Sequence, residues 1–178
     1  MSAPEPARPE PDAKDWTWTL DRPCPECGYD AASVEPVAIP ALVRDAASRW
    51  PDVLRRPDAT TRPAPTTWSP LEYACHVRDV HRLFRQRLEL MLAEDNPTFP
   101  NWDQDETALA ERYWEQDPSV VAAEVTESGE ALAEAYSRVG DDEWGRTGVR
   151  SNGSTFTVDS LGRYLMHDLS HHVWDVRG

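Results

Sequence analysis

WSPLEYACHVRDVHRLFRQRLELMLA, residues 68–93, is the stretch on which the fold turns. Ser69 is a good N-cap, Pro70 suits the first helical position, and Glu72 follows the cap by three residues, completing a capping box. The spacing predicts a helix that runs to about Ala93. At roughly 100° per residue, His76 falls between Leu83 and Leu90 on one side and Tyr73 and Val80 on the other, so it points into the apolar arc. Arg87 shares that arc, whereas Arg78, Arg82, Arg85 and Glu89 form the expected solvent side. His81 lies about 140° from His76 and cannot readily share a small site with it. A lone inward histidine is usually a core residue with a hydrogen-bond partner, so His76 by itself does not define a site.

The neighbouring segments extend the helical reading. From Pro40 to about Arg56, apolar positions Leu42, Val43, Ala46, Trp50, Val53 and Leu54 recur at steps of three and four. Pro97 and Pro100 stop the second helix from continuing, and a shorter one is expected from about Gln104 to Glu115. Asp117 and Pro118 repeat the cap-plus-proline signal ahead of Val121, Val125, Leu132, Tyr136 and Val139, with Gly140 as the stop. Asn152-Gly153 marks a turn or a short hairpin tip, and Thr157 caps a last helix to about Val176. Four long helices and no alternating strand pattern give an all-α four-helix bundle over residues 39–178. Ahead of it lie a proline-rich tail expected to be disordered, 1–15, and an extended arm, 16–38, anchored by Trp16, Trp18 and Leu20.

The last helix carries YLMHDLSHHVWDV, residues 164–176. His167 and His171 are four apart and project from one face, a spacing by which a helix offers two nitrogens to one metal. The segment reads HDLSH, not HExxH, which sets a zinc protease aside. Leu161, Leu165, Leu169, Val173 and Val176 form an aliphatic stripe, with His172 expected to pack nearby. Ser160, Tyr164, His167, His171 and Trp174 form a second stripe. Convergence of His76, His167 and His171 inside the bundle would create a three-ligand site with open positions, the arrangement of a catalytic metal. Imidazole donors suit several divalent ions; zinc is the first expectation, with nickel or iron as alternatives. Pro-flanked Asn101, Trp102 and Asp103, together with Asn152, are candidate rim residues beside Tyr73, Arg87, Tyr164 and Trp174.

CPECG, residues 24–28, is half of a zinc-ribbon motif without its second half. Cys24 and Cys27 read as a zinc knuckle pinning the arm, as a redox-active thiol pair, or as contributors to the histidine site. Cys75 is a candidate third sulfur, though on a helix it diverges from His76 by about 100°.

The 178 residues carry a net charge of -14, which argues against a nucleic-acid surface. No apolar run reaches the ~20 residues of a membrane span and MSAPEPARPEPDAKD does not resemble a signal peptide, so no membrane partner is expected and the expected location is cytoplasmic. A small-molecule substrate is the expected partner. A homodimer is compatible with eight tryptophans, but no interface is indicated.

WSPLEYACHVRDV at 68–80 and LGRYLMHDLSHHVWDV at 161–176 together resemble the DinB/YfiT-like superfamily, over roughly residues 36–177. The resemblance implies an up-down-down-up bundle with metal ligands His76, His167 and His171 facing a pocket. It further implies activities that include S-transfer with low-molecular-weight thiols such as mycothiol. Iron-dependent members carry HxxxHxE, and Val173 replaces that glutamate here. Two functions of different class follow. One is a metal-dependent thiol S-transferase of the mycothiol type. The other is a non-catalytic accessory protein that senses zinc or oxidants through CPECG and the histidine site.

Overall fold

A computed structural model describes residues 6–9 and 15–178. Four long helices, α1 (Ile39–Leu54), α2 (Pro70–Ala93), α4 (Pro118–Ser137) and α5 (Val158–Asp175), make the bundle, and a short α3 (Gln104–Ala110) sits in the α2–α4 connector. The caps read from the sequence are in place. The Ser69 hydroxyl accepts from the Glu72 amide while the Glu72 carboxylate accepts from the Ser69 amide. Thr157 and Ser160 form the same reciprocal pair at α5, and Asp117 accepts from the Ser119 and Val120 amides at α4. Each such cap contributes about 1 kcal/mol and fixes where a helix begins.

Helix α4 packs against both α1 and α2, and α5 against the same two from the other side, so α1 and α2 touch each other far less than either touches α4. α1 and α2 therefore sit across a diagonal, whereas α2 and α4, also joined by a long connector, pack side by side. Trp50, Leu71, Leu88, Leu132, Leu161 and Leu165 are fully buried between the four. Gly129 lets α4 approach α1 and α2 closely: a methyl group there would lie 2.7 Å from Ala47 Cβ and 3.2 Å from the His81 ring.

Three features differ from the sequence expectation. A small sheet forms from β1 (Thr98–Phe99), β2 (Thr147–Arg150) and β3 (Thr155–Thr157), with β1 parallel and β3 antiparallel to β2. Strands of two to four residues are too short to show an alternating pattern. Arg78, expected in solvent, is buried because the α3–α4 connector and α4 cover that side; it donates to Gln116 and Glu124, each at 2.7 Å. The arm 16–38 is built of three 3-10 turns, Trp16–Leu20, Ala31–Ser33 and Pro36–Ala38, lying on α5. Of the tail expected to be disordered, residues 1–5 and 10–14 lie outside the described residues, while Arg8 pairs with Glu106 and the Ala7 carbonyl accepts from Arg62. No described helix is long and apolar enough to cross a membrane.

Candidate metal centre

The C-terminal half of α5 carries two interleaved pairs at helical spacing, His167 with His171 and Asp168 with His172. Adjacent positions diverge by about 100°, so the pairs meet different partners, and two donor groups result.

The first group is His76, Asp168 and His172. His76 is delivered by the second turn of α2 and is 1% exposed. Its Nε2 and the Nε2 of His172 each lie 3.5 Å from Asp168 Oδ1. Donors on one metal with bonds near 2.1 Å are separated by about 3.4 Å in a tetrahedron, so both imidazoles stand at coordination spacing from the carboxylate oxygen, and all three donors lie within 4.8 Å of one another. Both His76 Nε2 and Asp168 Oδ1 are buried without a hydrogen bond among the described residues. Two such atoms left facing each other would each cost about 1–3 kcal/mol, which a shared cation removes. The far nitrogen of His172, Nδ1, lies 2.8 Å from Asp175 Oδ2, the carboxylate–imidazole arrangement that orients a metal-binding histidine. His76 is held between rings, stacked on Trp102 at 5.3 Å and tilted against Trp68 at 5.4 Å. Burial pushes its basicity down, so it stays neutral and able to ligate. Burial alone would raise the Asp168 carboxyl, but His172 and then His76 hold it below the usual carboxylate range.

The second group is Cys24, Cys27, His167 and His171. Here the arm supplies two sulfurs and α5 two nitrogens. Cys24 Sγ lies 3.8 Å from His171 Nδ1, and the other ring nitrogen of His171 faces Glu26 at 3.4 Å and Asp175 at 3.7 Å. His167 is 4% exposed, and its Nε2 makes no hydrogen bond among the described residues. Burial, then the neighbouring His171, lowers its pKa to about 4. Trp16, Trp18 and Tyr29 pack their rings around it at 5.6, 6.4 and 5.7 Å.

The three histidines read as one site thus fall into two groups: His76 stands with Asp168 and His172, whereas His167 and His171 stand with the cysteines. The arm covers the 167/171 face of α5, leaving α2 to meet the 168/172 face. His172, expected among aliphatic neighbours, instead stands edge-on to His76 at 4.8 Å. Cys75 joins neither group: it is buried toward Tyr113 and Gln116, and burial pushes its thiol up to about 12. Sequence spacing places His172 with the aliphatic stripe and singles out none of Asp168, Asp175 and Glu26. The one available signal was that Asp168 and His172 repeat the four-residue spacing of His167 and His171.

A cleft of about 540 Å³ opens over the groups, lined by Trp16, Trp68, Tyr73 and Tyr164 with the four α5 donors, and rimmed by Glu26, Asp105 and Asp175. Of the other rim candidates, Trp102 reaches the site by stacking on His76. The Asn101 backbone amide donates to the Ser151 hydroxyl, and the Asp103 side chain caps α3. Arg87 is buried over Phe84 and Phe99 and donates to the Pro100 carbonyl; burial, then Arg150, lowers its pKa to about 10. Asn152 accepts from Arg150, and Trp174 packs on His171 from the exposed side.

A family model described as the DinB superfamily matches residues 37–176. The fold is similar to that of a solved structure titled "YfiT from Bacillus subtilis is a probable metal-dependent hydrolase with an unusual four-helix bundle topology". That likeness has a TM-score of 0.61 and 18% identity, and covers 94% of this chain and 89% of that one. No curated protein matches.

Proposed function

The chain belongs to the DinB superfamily, and on that premise we propose that it is a metal-dependent enzyme whose centre is His76, Asp168 and His172, acting as a thiol S-transferase of the mycothiol type. The observation that carries this reading is the convergence of two imidazoles on one carboxylate oxygen, with Asp168 and His172 lining an open cleft and His76 buried behind them. Three protein donors leave positions for a substrate atom, and a divalent cation held there would supply the positive charge that favours the ionised form of a thiol.

The chain's own residues do the rest. Asp175 fixes the His172 ring so that Nε2 faces the centre. Trp68 and Trp102 close both faces of His76 and keep water from its ring. The rim carboxylates of Glu26, Asp105 and Asp175 repel an anionic thiol, while Trp16, Trp68 and Tyr73 offer flat surfaces to the C–H faces of sugar rings. Together they favour an uncharged, sugar-borne thiol over a peptide thiol rich in carboxylates. In the reaction the thiol sulfur forms a bond to an electrophilic carbon as the carbon–leaving-group bond breaks, and the thiol proton leaves to solvent through the cleft.

The likeness to a protein described as a probable metal-dependent hydrolase favours a second reading, in which water takes the place of the thiol. Metal-loaded protein incubated with mycothiol and monobromobimane distinguishes the two: a conjugate formed faster than with metal-stripped protein and with H76A is expected. No rate above those controls, with turnover of an ester or amide panel instead, would replace S-transfer by hydrolysis.

A further inference from the structure

We propose that Cys24, Cys27, His167 and His171 form a second, closed zinc site of structural type, which fastens the N-terminal arm to α5 and so builds one wall of the cleft. The reading of the first centre is not needed for it.

Four donors of two kinds lie within 4.8 Å of one another. A tetrahedral ion with sulfur at about 2.3 Å and nitrogen at about 2.1 Å places S and N donors roughly 3.6 Å apart. The Cys24 Sγ to His171 Nδ1 separation of 3.8 Å fits that edge. Which nitrogen of each ring would bind is also settled by the surroundings. His171 turns Nδ1 to the sulfur and leaves Nε2 for the Glu26 and Asp175 carboxylates, the partner arrangement that stiffens a ligand histidine. His167 has a buried Nε2 with no hydrogen bond among the described residues.

The arm is shaped for this role. In the CPECG turn, the Gly28 amide donates to the Cys24 carbonyl at 2.9 Å and the Cys24 amide to the Tyr29 carbonyl at 2.8 Å. Gly28 sits at φ +75, a conformation a side chain would strain. This closes the loop so that both sulfurs emerge on one side, and the Tyr29 amide favours the thiolate form of Cys27. Binding of zinc to cysteine sulfur takes the thiolate form, so loading releases thiol protons, as in other thiolate zinc sites. Four protein donors leave no position for a substrate, so this site holds structure while its three-donor neighbour stays open. Trp16 and Glu26, both on the arm, line the cleft, so the closed site sets the shape of the open one.

The test is metal stoichiometry with cobalt spectroscopy on the full chain. Wild type purified without chelator should carry two equivalents of divalent metal per chain, C24S/C27S one, and H76A one. Cobalt-loaded wild type and H76A should both show a thiolate-to-cobalt charge-transfer band in the near ultraviolet, absent from C24S/C27S. Should the double serine variant fail to fold, by loss of its helical circular dichroism, the H76A spectrum decides. A wild type and H76A without that band, or a Cys24–Cys27 disulfide in anaerobically purified protein, would overturn the proposal. Loss of S-transfer with the band intact would overturn only the functional reading of the first centre.

Discussion

Two faces of one stretch of helix, separated by a single residue of register, carry different chemistry. The 167/171 face of α5 meets the arm and gathers two sulfurs and two nitrogens; the 168/172 face meets α2 and gathers two nitrogens and one oxygen. Soft thiolates and a full count of four favour a zinc ion held for structure, whereas a carboxylate and a count of three leave room for a reacting molecule. Helix geometry alone brings the two within one turn of each other without letting them share a donor, because neighbours on a helix point about 100° apart. Asp175 belongs to both, since one oxygen reaches His172 and the other faces His171.

The comparison breaks most severely at Asp168. D168N should lower metal affinity at the open centre by more than the roughly 10–100-fold typical of losing an outer partner, and abolish turnover with it, while the cobalt–thiolate band stays. Loss of both signals together would mean that the faces are not independent. D175N should weaken each site by about 10–100-fold, because both histidines lose an orienting carboxylate; competition with a graded chelator measures it, and an effect confined to one site would reassign Asp175. The smallest effect is expected at Glu26, half-exposed on the closed side only. E26Q should cost that site about tenfold or less and leave the open one unchanged in the same titration.

His81 supplies the counterexample of a buried histidine outside both groups. Its Nδ1 lies 3.1 Å from the Ser128 hydroxyl, and burial lowers its pKa from 6.5 to about 4. Below pH about 6.5 the unfolded chain takes up a proton that the folded ring refuses, so the stability this ring lends falls progressively to about pH 4 and is intact above that window. H81Q should flatten that part of the pH–stability curve, cost about 1–3 kcal/mol in denaturant melts, and keep both metal equivalents. A pH profile identical to wild type would show that His81 is not the titrating group.

Helix starts were legible because capping is local: Ser69 with Glu72, Asp117 with Pro118 and Thr157 each declare themselves within four residues. The CPECG motif and the four-residue histidine spacing were legible for the same reason. Their partnership was not. A helical wheel tells which residues share a face, but which neighbour that face meets depends on the diagonal placement of α1 with α2 and on the arm's path, neither of which leaves a local pattern. His172 therefore falls to the aliphatic stripe on the wheel and Asp168 draws no notice, although their spacing matches that of His167 and His171. The short sheet escaped for a related reason, since β1 meets β2 across fifty residues through two register pairs.

The long reach from arm to last helix also has a consequence for synthesis. Cys24 and His171 are 147 residues apart, so the sulfurs leave the ribosome when nearly all of the chain, including every helix they will rest on, is still to be made. The arm has nothing on α5 to fasten to until that helix emerges, and the loop that closes then spans 147 residues. Whatever joins those four side chains acts as the final clasp: a truncated product lacking the last dozen residues cannot close it and presents two bare thiols instead.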